Sequence, residues 1–250
     1  MKALVTGASS GIGRDMAKYL SSLGYDIIAV ARDGEALNKL KQNLQTNMEI
    51  ISMDLSEEED CKELYNTVKN KKIDILVNNA GFGDFGEFAD TDLDKDMKMI
   101  NVNIKAVHIL TKLFLKDMVK RNSGHILNVA SIAGFMPGPL MATYYSTKAY
   151  IVRFTQSIYT ELKKKKSKVK ISVLCPGPVN TNFNKVANVK FNLKGQSSEY
   201  VAKYGINKML KGKLIIIPGI KIKIARFLAK ISPEKLSARV CMKMQKRKMR

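Results

Sequence analysis

The pentapeptide Tyr144-Tyr145-Ser146-Thr147-Lys148 sets two phenols four and three residues ahead of an ammonium. Both spacings make neighbours on a helix, so geometry alone does not choose between the tyrosines. The chemistry on offer is proton transfer. A free phenol titrates near ~10, high for exchange at neutral pH, and a nearby cation favours the phenolate and brings that value down.

A second group stands near the start of the chain. Thr6-Gly7-Ala8-Ser9-Ser10-Gly11-Ile12-Gly13 follows an apolar run and opens a helical one. Its glycines let backbone approach a ligand closely, and a helix start presents unpaired N–H groups that suit a pyrophosphate. Further polar or Gly/Pro groups end the later apolar runs: Asp54, Asn78-Asn79-Ala80-Gly81, Ser131 and Pro176-Gly177-Pro178.

These residues need a frame. Short, β-branched runs at 2–6, 25–31, 48–53, 73–78, 124–130, 169–175 and 213–217 alternate with helical stretches near 11–23, 33–45, 57–70, 93–121, 143–166 and 197–211. The pattern predicts an α/β fold: a doubly wound, Rossmann-like, seven-stranded parallel sheet with helices on both faces. In such a sheet ligands lie beyond the carboxyl ends of the strands, where the groups above all fall. Ser56 with Glu59 reads as a capping box for the third helix, and Ser197 as the cap of the helix over 197–211.

The 250 residues are 45% hydrophobic, enough for a packed core. One domain over 1–219 is expected, followed by a basic helical extension over 220–250. Met1 to Val5 run into Thr6-Gly7 with no apolar leader segment, and no run approaches the ~18 apolar residues of a spanning helix. Cys61, Cys175 and Cys241 form neither a CxxC pair nor a disulfide framework, which fits a cytoplasmic protein, and His108 and His125 are isolated, so no metal site is expected. The net charge of +21 is uneven: from Lys208 onward fourteen Lys/Arg face one acid, Glu234.

Taken in order, TGxxxGxG at 6–13, NNAG at 78–81, Asn103, Ser131, YxxxK at 144–148 and Pro176-Gly177-Pro178-Val179-Asn180-Thr181 resemble the short-chain dehydrogenase/reductase family over residues 1–182. The resemblance selects Tyr144 over Tyr145 and implies a tetrad of Asn103, Ser131, Tyr144 and Lys148. Tyr144 would be the general acid in carbonyl reduction and the base in alcohol oxidation, its pKa lowered by Lys148 and by an oxidised nicotinamide. Ser131 would hold the reacting oxygen, Lys148 the nicotinamide ribose, and Asn103 a water linking Lys148 to solvent. Cofactor contacts are implied from Gly7, Ser9, Ser10, Gly11, Ile12, Gly13, Arg32, Asp54, Leu55, Asn79, Ala80, Gly81, Tyr144, Lys148, Pro176, Gly177, Val179 and Thr181. Asn78 reads either as a site residue or as a strand-end hydrogen-bonder, and Asp54 either as an adenine contact or as a helix-start residue.

The cofactor expected is NADP(H), with NAD(H) second. By resemblance, Ala31 takes the place of the acid that grips the ribose 2′-hydroxyl in NAD-preferring sites, and Arg32 follows it with a guanidinium suited to a 2′-phosphate. Ser10 stands at the family's second common basic position, Arg14 is a candidate helper, and Asp33 is expected to start the next helix. The substrate expected is a small-molecule ketone, aldehyde or secondary alcohol of apolar character, lined by Phe82, Phe85, Phe135, Met136, Leu140, Met141 and Phe183, with 182–196 as a lid.

The branch resembled carries a basic helical tail. Ile220, Ile224, Phe227, Leu228 and Ile231 recur at helical spacing among lysines. Three roles compete: a helix packed beside the pocket, a helix on an anionic membrane surface giving peripheral attachment, and a patch for an acidic partner. Nucleic acid is disfavoured, because the tail holds one aromatic and no nucleic-acid motif. Pairing of two copies through 93–121 and 143–166 is left open. A regulatory protein that binds NADP(H) with weak catalysis ranks second to an enzyme, because all four tetrad residues are present.

Overall fold

The computed structural model describes residues 1–183, Ala187 and 195–246. The strands are β1 (Lys2–Thr6), β2 (Asp26–Ala31), β3 (Met48–Ser52), β4 (Ile75–Asn78), β5 (His125–Val129), β6 (Lys170–Leu174), β7 (Val179–Asn180), β8 (Gln196–Ser197) and β9 (Ile215–Ile216). Seven of them form one sheet in the order β3-β2-β1-β4-β5-β6-β9, parallel throughout. The short β7 and β8 pair separately.

Alternation along the strands divides the core. Ala3, Val5, Ile27 and Ala29 face one side, and Leu4, Ile28 and Val30 the other. The first side packs on α1 (Gly11–Ser22), α2 (Gly34–Lys41) and α7 (Ser198–Leu210) through Met16, Leu20, Leu37, Ile206 and Met209. The second packs on α3 (Glu58–Val68), α5 (Val107–Lys120) and α6 (Ala142–Lys164) through Leu64, Leu110, Phe114, Met118 and Leu162. Each such side chain, fully buried, contributes roughly 1.5–3 kcal/mol. The doubly wound, Rossmann-like sheet with helices on both faces is therefore present as expected.

A polar seam crosses the second core. Asn128 on β5 accepts from the Asn78 amide at 2.9 Å and donates to Thr155 at 3.0 Å, while Asn78 also donates to Thr111 at 3.0 Å. This fixes Asn78 as a buried strand-end cross-link, away from the cavity.

Helix starts follow local chemistry. Asp33 caps α2 by accepting from the Ala36 N–H at 2.9 Å, and Ser197 caps α7 by accepting from the Tyr200 N–H at 3.2 Å. The expected Ser56–Glu59 capping box does not form. Glu57 takes the cap position, and the Ser56 hydroxyl donates to the Glu57 carboxylate at 3.3 Å instead. The last strand pairs over only Ile215 and Ile216, shorter than the apolar run that encodes it.

The expected helix over 93–121 is α4 (Leu93–Ile100) and α5 joined by a π-helical segment, Asn101–Ala106. Single π turns inside helices widen the backbone ring by one residue and occur mostly at functional sites. The tail folds as α8 (Ile220–Ile231) and α9 (Glu234–Lys246), separated at Pro233. The lid expected over 182–196, with Asn184, Asn188 and Asn192, falls largely outside the described residues.

Candidate active site

Strand order reverses between β1 and β4, and the crevice opens at their carboxyl ends. Thr6 and Asn79 tie the two ends together. The Thr6 hydroxyl accepts from the Asn79 and Ala80 N–H groups, both at 3.0 Å, and the Asn79 amide donates to the Thr6 and Gly7 carbonyls at 3.0 and 3.2 Å. A Cβ on Gly13 would lie 2.3 Å from both the Asn79 amide and the Gly7 carbonyl oxygen. Only glycine lets α1 start this close to the turn. Gly13 therefore shapes the crevice from behind and does not line it.

A cavity of about 1100 Å³ runs from this turn along the sheet edge. Its first part is walled by Gly7, Ser9, Ser10, Gly11, Ile12, Arg32, Asp54, Leu55, Asn79, Ala80 and Gly81, and farther on by Pro176, Gly177, Val179 and Thr181. Ser10 precedes α1 and makes no capping hydrogen bond with its side chain. Its hydroxyl, the free helix start and the glycine-only turn fit a dinucleotide pyrophosphate. Arg32 is 67% exposed and lies 3.7 Å from the Asp54 carboxylate, which Lys98 also approaches at 3.2 Å. Burial alone would raise the pKa of Asp54, but hydrogen bonds from Ser56 and Lys98 outweigh it and hold the group below its ordinary value. Arg14, a candidate helper, bonds Asp15 at 2.9 Å and is not on the cavity wall.

The far part holds the proton-transfer group. Ser131 ends β5 and accepts from the Ala133 N–H at 3.2 Å as a short 3₁₀ turn begins. Its side chain acts on the Tyr144 phenol in the direction that favours the ionised form. Burial acts the other way and is larger, so the Tyr144 pKa is pushed up to about 12. Lys148 follows one turn later on α6. Its Nζ donates to the Val129 carbonyl at 3.1 Å and sits 5.7 Å from the centre of the Tyr144 ring. Burial with no facing carboxylate pushes the ammonium down to about 8. The expectation that Lys148 brings Tyr144 below the usual phenol value is thus corrected for the protein's own groups. Desolvation of the phenolate exceeds what Ser131 returns, and the amine turns toward a carbonyl.

Asn103 is buried behind the wall, in the π-helical segment. Its amide oxygen accepts from the Phe82 N–H at 3.1 Å, and its nitrogen donates to the Phe82 carbonyl at 2.9 Å and the Thr147 hydroxyl at 3.1 Å. It clamps the loop after β4 to α6. A Cβ on Gly81 would meet the Asn103 oxygen at 2.8 Å and the Lys148 Nζ at 3.3 Å, so glycine keeps these two groups close across the loop.

Of the apolar residues expected around the substrate, Phe82, Met136, Met141 and Phe183 line the cavity, as does Tyr145. Phe85, Phe135 and Leu140 do not. Phe135 lies beneath the Arg226 guanidinium at 4.7 Å, and Leu140 is buried at a turn with φ of 64°. Missing from the sequence reading is the remaining wall: Ile222 and Leu228 of α8, and Leu236, Val240, Met244 and Gln245 of α9. Gln245 donates to the Tyr145 hydroxyl at 2.8 Å. Of the three roles read for the tail, a helix packed beside the pocket is the one this wall matches, though the sequence did not say which of its residues line it.

A short chain dehydrogenase family profile matches residues 1–190. An uncharacterized oxidoreductase of Staphylococcus epidermidis is 38% identical over 181 residues, which are 72% of this chain and 78% of that one. Among solved structures, a short-chain dehydrogenase from Sphingobium yanoikuyae in complex with NADPH superposes with a TM-score of 0.82 at 25% identity, covering 93% of this chain and 96% of that one. A short chain dehydrogenase/reductase from Burkholderia phymatum in complex with NAD gives 0.83 at 24% identity, covering 90% and 91%. The match over three quarters of the length, joined to the sheet order and the crevice geometry, makes this chain a member of the short-chain dehydrogenase/reductase family, an oxidoreductase that works with a nicotinamide dinucleotide.

Proposed function

We propose that the protein interconverts an apolar ketone or aldehyde with its alcohol using NADP(H), with Tyr144 as proton donor and acceptor. The observation that carries this is that Ser131, Tyr144 and Lys148 line the apolar end of a cavity whose other end fits a dinucleotide. Hydride transfer is what the cofactor supplies when bound. The chain's own residues handle the oxygen and the proton. Ser131 donates to the substrate oxygen as negative charge builds there, and Tyr144 delivers a proton to the same atom. In the oxidative direction the phenolate takes that proton back. Such general acid–base assistance contributes about 10²- to 10⁴-fold in rate.

Held up near 12 by burial, the phenol is protonated at neutral pH, the form that can donate to an alkoxide. Lys148, near 8 and hydrogen-bonded to Val129, would hold a ribose hydroxyl and can pass a proton at neutral pH. Asn103 holds the loop that carries Gly81 and Phe82 against this pair.

NADP(H) is preferred because Arg32 offers an exposed guanidinium on the wall and no acid follows β2 before it. Asp33 is occupied as the cap of α2. The substrate class rests on Phe82, Met136, Met141, Phe183 and the tail residues, which make the far wall apolar. A panel of ketones and aldehydes followed by NADPH absorbance tests the whole proposal. Turnover of bulky apolar carbonyls that disappears in Tyr144→Phe is expected; turnover that survives in that variant overturns the assignment.

A further inference from the structure

Helix α8 carries an apolar stripe that faces away from the protein. Ile220, Ile224, Phe227 and Ile231 are 73%, 54%, 61% and 63% exposed. At 100° per residue these four fall within an arc of about 60°. Lys221 flanks the stripe on one side, and Lys223 and Lys230 on the other. The opposite side of the same helix is held down. Ile222 packs on Gly177, and Arg226 covers the Phe135 ring at 4.7 Å, so the outward direction of the stripe is set by packing.

Helix α9 continues the surface inward. Leu236, Val240 and Met244 repeat every four residues and are 51%, 50% and 50% exposed, and Leu228 of α8 is 52% exposed. These same four side chains line the cavity. The outward stripe and the apolar end of the cavity are therefore joined by one half-exposed rim. The two helices together carry eight Lys/Arg and a single acid, Glu234. No helix among the described residues is long and apolar enough to cross a membrane.

We infer that α8 and α9 dock the mouth of the cavity on an anionic lipid surface, through which apolar substrate enters and leaves. Charge complementarity names the occupant. An apolar stripe bordered by cations fits acyl chains overlaid by anionic headgroups. A soluble partner would have to cover four large side chains and neutralise eight cations at once. The docking surface stands on the tail alone, whereas substrate exchange rests on the apolar-carbonyl reading above.

The test uses the full chain and needs no turnover. Wild type is expected to sediment with vesicles of phosphatidylcholine mixed with phosphatidylglycerol, and to be released by high salt. Vesicles of phosphatidylcholine alone should hold it at least about tenfold less well. The double variant Ile224→Ser/Phe227→Ser should lose about tenfold or more in partition to the mixed vesicles. Neither residue lines the cavity, so reduction of a water-soluble ketone should stay within about twofold of wild type. Equal sedimentation of wild type and the double variant overturns docking through this stripe. So does an absence of salt-sensitive binding, or concentration-dependent self-association that the double variant abolishes. Lipid binding without reduction of any carbonyl leaves the docking surface in place and removes the substrate-exchange claim.

Discussion

The Tyr145 hydroxyl and the Gln245 amide meet at 2.8 Å across 100 residues of sequence, joining α6 to the last helix described. The residue next to the proton donor is thereby positioned by the tail. Gln245→Leu should raise KM for bulky apolar carbonyls by about fivefold, the cost of one such bond, with KM for NADPH unchanged. Tyr145→Phe should act in the same direction. Steady-state kinetics with both substrates varied will show it, and equal effects on the two KM values would contradict it.

Tyr144→Phe removes the donor and keeps the ring contacts with Phe183 at 5.3 Å. Turnover should fall by at least about 10²-fold while NADPH binding, measured by fluorescence, stays within a few-fold. Retained turnover would move the proton transfer to another group.

Ser131→Ala has a defined sign in a pH profile. The Ser131 side chain lowers the Tyr144 pKa against the larger effect of burial. Its loss should shift the limb along which alcohol oxidation rises with pH to higher pH, because the phenolate is then harder to form. An unmoved limb would show that another group sets it.

Lys148→Met should stabilise the protein in the absence of dinucleotide. Burial lowers Lys148 from 10.5 to about 8, so its charged form is disfavoured in the folded chain. Below the folded value both folded and unfolded chains carry the proton, and the penalty is fully present. Between about 8 and 10.5 the folded chain gives up the proton first, and the penalty fades as pH rises. The gain should be on the order of 2 kcal/mol near neutral pH and close to nothing near pH 10. Denaturant melts at the two pH values will show it; a gap that does not narrow would disprove the electrostatic origin.

Arg32→Ala should raise KM for NADPH by about tenfold or more and leave KM for NADH nearly unchanged, since one charge-assisted contact with the 2′-phosphate is lost. A tenfold kcat/KM preference of wild type for NADH would overturn the NADP(H) assignment.

Much of the frame was legible because two periods rarely mislead. The β-branched runs ending at Thr6, Ala31, Met53, Asn78 and Ala130 placed the strands to within a residue at these ends, and the groups just after them fell on one edge. Ser131, Tyr144 and Lys148 were found through the family resemblance, since spacing alone left Tyr144 and Tyr145 equal, and they share one cavity because α6 begins beside the end of β5. Three things were not legible. The π-helical segment around Asn103 leaves the apolar pattern on either side helical, so a continuous helix fits the same letters. That the tail packs beside the pocket was one of the roles read, but the side chains that make the contact, such as Gln245 on Tyr145, are encoded by no local pattern. The direction of the Tyr144 shift depended on burial and on where the Lys148 amine turns, and spacing reports neither.

The π-helical segment Asn101–Ala106 carries a constraint on descent. Relaxing it to an ordinary helix with every residue kept would rotate everything downstream by about 100°. Leu110, Phe114 and Met118 would leave the sheet they pack on. The widened turn that aims Asn103 at Phe82 is therefore held in place by hydrophobic residues that never touch the reaction, and a lineage could shed it only by losing a residue in the same step.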